Sequence, residues 1–118
     1  MEPLFKIAES FDVKVCYSCA DIKRIETVLS RIPDAMIDYD GVNSEKMLKA
    51  VTSLVPRDRL IVWVYMDKPN FSWLTDRDKA SLEVCRRVKE YARLGLGNVS
   101  NPYDMREALS YEPDVLEV

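Results

Sequence analysis

From Leu60 to Met66 the chain reads Leu-Ile-Val-Trp-Val-Tyr-Met, apolar or aromatic at every position. A strand turns successive side chains to opposite faces, so a run without a polar position describes an interior strand with both faces covered. Strands of that kind belong to parallel sheets flanked by helices. The rest of the chain has to supply those helices, and its rhythm does: strand and helix patterns alternate, as in an α/β domain.

Val13 to Ser18 alternates Val13, Val15 and Tyr17 with Lys14, Cys16 and Ser18, which predicts a strand. Ile22, Ile25, Leu29 and Ile32 then recur at helical spacing until Pro33, with Ser18 and Asp21 placed as a capping box that has Asp in the Glu position. Ala35 to Tyr39 is a short strand. Asn43 or Ser44 caps the next helix, whose stripe is Met47, Leu48, Val51, Leu54 and Val55, closed by Pro56. After the interior strand, Thr75 and Asp78 open the longest helix, expected to reach about Leu94 with Gly95 as its C-cap. Leu96 to Val99 is a fourth strand, and Asn101-Pro102 with Asp104 is an N-cap, N1 and N3 signature for a last helix to about Ser110. Two readings stand for the first twelve residues: a helix through Leu4, Ile7 and Ala8, or a strand from Leu4 to Ala8 that turns through Glu9 to Asp12.

No repeat, low-complexity tract or linker divides the 118 residues, so residues 1–118 are expected to form a single α/β domain. A chain of this size buries roughly two thirds of its unfolded surface and needs no disulfide or metal to hold a core. Three cysteines, an odd number, fit a reducing compartment. The longest apolar run is far short of the roughly 20 residues that cross a bilayer, and Met1-Glu2-Pro3 does not open a secretory leader. A cytoplasmic location without membrane attachment is the expectation. With 17 basic residues against 20 acidic ones the net charge is -3, which argues against a nucleic-acid surface.

Two scarcities narrow the chemistry. The chain has no histidine, which removes Ser-His-Asp and Cys-His catalysis and imidazole metal sites. Its three glycines, Gly41, Gly95 and Gly97, cannot make a Walker A loop, and Gly95-x-Gly97 follows a helical stretch where a dinucleotide fold needs a strand.

Three constellations remain. Cys16-x-x-Cys19 has the spacing of a redox pair beside a helix N-terminus, but Cys16 falls inside an alternating strand, and the plain reading is two small buried hydrophobes, as for Cys85. Asp38 and Asp40 stand at the carboxyl end of a strand, where parallel sheets bind ligands, and Asp67 ends the interior strand. Together these three carboxylates would hold one Mg²⁺, the cofactor of a phosphoryl-transfer or nuclease-type enzyme; the plain reading is a solvated turn through Asp40-Gly41. The long helix carries Arg86, Arg87, Lys89 and Arg93, with Glu83 and Glu90 four residues from Arg87 and Arg86, so its charge is expected to be paired internally. Phe71 and Trp73 put two aromatics into an expected loop, as an interaction surface would.

The stretch FDVKVCYSCADIKRIETVLSRIPDAMIDYDG resembles the second strand, second helix and third strand of response-regulator receiver (CheY-like) domains. LIVWVYM is similar to the family's fourth strand, and ARLGLGNVSNPYDMREAL to its closing strand and helix. The resemblance covers about a hundred residues, from Phe11 to Ser110. It implies a small three-layer domain of flavodoxin-like or receiver-like form, a mainly parallel sheet of four or five strands, and Asp38 as the phosphoacceptor-like residue.

The family's acidic pair has no counterpart before Phe11, its Thr or Ser falls at Val64 or Tyr65, and its lysine is Asn101. Those departures imply a pseudo-receiver without cofactor, a regulatory domain that binds another protein or itself through the Trp73 loop or the last helix. Receivers place their first strand between the second and third. Either Leu4 to Ala8 fills that place here, or the strand order differs and the likeness is local.

Overall fold

The computed structural model describes residues 6, 7, 10, 15–39, 44–66 and 82–118. The described elements are β1 (Cys16–Cys19), α1 (Ile22–Arg31), β2 (Met36–Tyr39), α2 (Glu45–Leu54), a 3₁₀ turn (Arg57–Arg59), β3 (Leu60–Tyr65), α3 (Leu82–Tyr91), β4 (Arg93–Gly97), α4 (Pro102–Ser110) and β5 (Val115–Leu116). All four strand pairings are parallel, and the order across the sheet is β1-β2-β3-β4-β5. The α/β class and the parallel sheet of five strands are thus as the sequence predicts.

β1 and β2 pair directly, Cys16 beside Met36 through Cys19 beside Tyr39. That pairing closes the place where receivers keep their first strand and satisfies the backbone groups that an empty place would orphan. Lys6 and Ile7, which lie in the stretch left open between helix and strand, are helical.

Register sorts the strand side chains into two faces. Tyr17, Cys19, Ile37, Tyr39, Leu60, Val62, Val64, Leu94, Leu96 and Leu116 share one face. These residues pack in a single core with Ile25 and Val28 of α1, Leu48 and Val51 of α2, Val84, Cys85 and Val88 of α3 and Ala108 of α4. One shared core is what sequential order demands, because right-handed crossovers between successive neighbours all return over the same face. The second face carries Cys16, Ser18, Met36, Asp38, Ile61, Trp63, Tyr65, Arg93 and Val115, and none of them belongs to that core. The four described helices therefore form one layer, on the first face.

Local chemistry places most helix ends. Ser44 caps α2 by accepting from Met47 N at 3.0 Å, and Asn101 caps α4 by accepting from Asp104 N at 2.9 Å, with Pro102 in the first turn. At α1 the cap is Asp21 alone, accepting from Arg24 N at 2.7 Å, because Ser18 stays in β1 and turns to the sheet's second face.

The long helix ends earlier than its pattern suggests. Its last turn closes with Ala92 N donating to Val88 O at 2.8 Å, and β4 begins at Arg93 instead of Leu96. Gly95 is therefore a strand residue, and no described glycine takes a positive φ. The left-handed turns belong to Asn98, φ 59°, after β4, and to Glu112, φ 53°, before β5. β5 has no counterpart among the expected elements. Asp114 docks it: its backbone N donates to Leu94 O and its carboxylate accepts from Leu94 N, both at 2.8 Å.

Candidate functional site

Asp38 is the third residue of β2, half-buried on the second face. In the β1–β2 register its neighbour is Ser18, and strand alternation puts Cys16 on the same face one pleat away. The Ser18 hydroxyl donates to Asp38 Oδ2 at 2.9 Å, and the Cys16 thiol donates to the same oxygen at 3.5 Å. Desolvation of the sulfur, and then the Asp38 charge and hydrogen bond, push the Cys16 thiol up to about 11. At neutral pH Cys16 is thus a protonated donor toward Asp38, and its nucleophilic form is scarce.

Cys19 lies three residues on, an odd step that turns it to the other face, where it is 2% exposed. Its thiol donates to Tyr17 O at 3.7 Å, and burial pushes it up to about 11 although Arg24 pulls the other way. Cys85, buried against the same core, is raised to about 12 for the same reason. All three thiols are free. The structure does not bring Cys16 and Cys19 together; the redox spacing of the sequence becomes a pair divided by the sheet, because both residues belong to β1 and neither to a helical turn.

Asp40 and Asp67, the other two carboxylates of the expected Mg²⁺ site, and Phe71 and Trp73 lie outside the described residues. Among the described residues no group of three or more Cys, Asp or Glu side chains is placed to hold a metal ion. Asp38 has a hydroxyl and a thiol as its neighbours, and one of its oxygens is committed to both.

The carboxyl edge of the sheet also gathers the N-termini of α1, α2 and α4. Each is already met by an oxygen of the chain, from Asp21, Ser44 or Asn101, with Glu45 and Asp104 adding negative charge in the first turns of α2 and α4. Their dipoles are satisfied internally, so they are poorly suited to cradle a phosphate.

The surface of α3 and α4 differs in kind. Arg87 pairs with Glu45 of α2 at 2.8 Å, where i, i+4 spacing suggested Glu83, and Lys89 donates to Glu112 O at 2.8 Å. Arg87 and Lys89 thus tie α3 to α2 and to the loop before β5, while Arg86 stays exposed. A groove between α3 and the end of α4 is lined by Leu82, Arg86, Lys89, Glu90, Tyr111 and Glu112. On α4, Tyr103 is 80% exposed and Leu109 56% exposed, with Arg106 exposed between them and Ala108 the only buried residue of the helix.

Sequence reasoning missed two features here. The Ser18 to Asp38 hydrogen bond depends on a register between strands twenty residues apart, which no local signal encodes. The outward set of Tyr103, Arg106 and Leu109 was open to reading, since the three recur every third position of a helix whose caps were plain. No described helix is long and apolar enough to cross a membrane. No family model, curated protein or solved structure matches the chain.

Proposed function

We propose that this chain is a non-enzymatic regulatory or protein-interaction domain, pseudo-receiver-like in its local features, that docks a protein partner or a second copy of itself through α4. The observation that carries this reading is the exposure of Tyr103 and Leu109 on one short helix, with Arg106 between them. Tyrosine and arginine are the side chains that most often anchor protein contacts, and exposed apolar neighbours beside them supply the buried centre that such contacts need. The likeness to receivers is local: an aspartate near the end of its strand, and an Asn101-Pro102 start to the closing helix. Asp38 turned toward a hydroxyl and a thiol supports a role without phosphoryl chemistry.

A photo-crosslinking side chain at position 103 tests the proposal in cells that express the chain. The expected result is a discrete adduct, whose mass tells a partner from a second copy, and its loss in a Leu109→Asp variant that stays folded. Absence of any adduct, or an adduct indifferent to Leu109→Asp, overturns the α4 surface. An amide NMR titration with Mg²⁺ tests the non-enzymatic half: saturable shifts confined to Asp38 and its neighbours would overturn that part in favour of a metal-dependent phosphoryl-transfer site.

A further inference from the structure

We draw no further inference here: the strongest candidate, the second face of the sheet around Met36, Ile61, Trp63 and Tyr65, carries nothing because nothing in the structure shows what covers it.

Discussion

The ring of Trp63 stands where a side chain of Gly95 would be: a Cβ at Gly95 would lie 2.7 Å from Trp63 Cε3 and 2.9 Å from Cδ2. The two residues are partners in the β3–β4 register, so the absence of a side chain on β4 is what lets the indole lie across the neighbouring strand. Tyr65 repeats the arrangement over Gly97, with a Cβ there 2.8 Å from its ring.

Gly95→Ala is therefore expected to destabilise the fold by about 1–3 kcal/mol, the usual range for overpacking a filled site. Urea unfolding at neutral pH reads the change. In a Trp63→Ala background the same substitution should cost much less, because the clashing ring is gone. Equal costs in the two backgrounds would show that the ring does not set the requirement for glycine.

This pair also marks where sequence reading stopped. Gly95 following a helical stripe has every local sign of a C-cap, and only the register with Trp63 reveals it as a strand residue. β3 was legible because an unbroken apolar run has no polar position to blur its assignment as a strand. The expected helix cover on both faces is seen only on the first among the described residues, with Trp63 and Tyr65 half-buried on the second. The α4 start was legible because Asn101, Pro102 and Asp104 act within four residues of one another. β5 was not, since a two-residue strand has no periodicity, and Asp114 fixes it through a partner twenty residues away. The candidate site divides in the same way. Asp38 near the end of a strand was visible, whereas its neighbours Ser18 and Cys16 and the separation of Cys16 from Cys19 follow from pairing and pleat.

Removing the Asp38 charge should make Cys16 easier to ionise. A carboxylate beside a thiol disfavours the thiolate, so Asp38→Asn is expected to lower the Cys16 titration from about 11 toward the ordinary cysteine range. Part of the elevation should remain, because desolvation is its largest cause. Cys19 and Cys85 are buried, so alkylation of the native protein by iodoacetamide reports on Cys16. The variant should react faster at pH 8 to 9, with its pH-rate profile displaced to lower pH. Superimposed profiles would mean that the 3.5 Å contact does not govern the thiol.

Stability should decline in alkali. Cys19 and Cys85 are raised to about 11 and about 12 in the folded chain, so between the ordinary thiol range and those values the folded state holds protons that the unfolded state has released. Stability then falls as pH rises, and the contribution is complete only below the unfolded thiol's titration. Urea midpoints measured from pH 8 to 11 should drop. A Cys19→Ala, Cys85→Ala double variant, though less stable at pH 7 from lost packing, should drop less steeply over the same interval. Parallel slopes for the two proteins would assign the alkaline loss to other groups.

The α4 surface makes a prediction that separates docking from folding. Tyr103 and Leu109 reach away from the core, and exposed positions without caps or buried partners change stability by no more than about 0.5 kcal/mol when substituted. Tyr103→Ala with Leu109→Ala, which keeps helix propensity high, should leave the thermal midpoint and far-ultraviolet circular dichroism of the chain almost unchanged. Asn101→Ala, on the same helix, removes the side chain that accepts from Asp104 N and should cost about 1 kcal/mol. If the double variant instead lost as much stability as the cap variant, the two side chains would be serving the fold, and their exposure could no longer be taken as a surface kept for a partner.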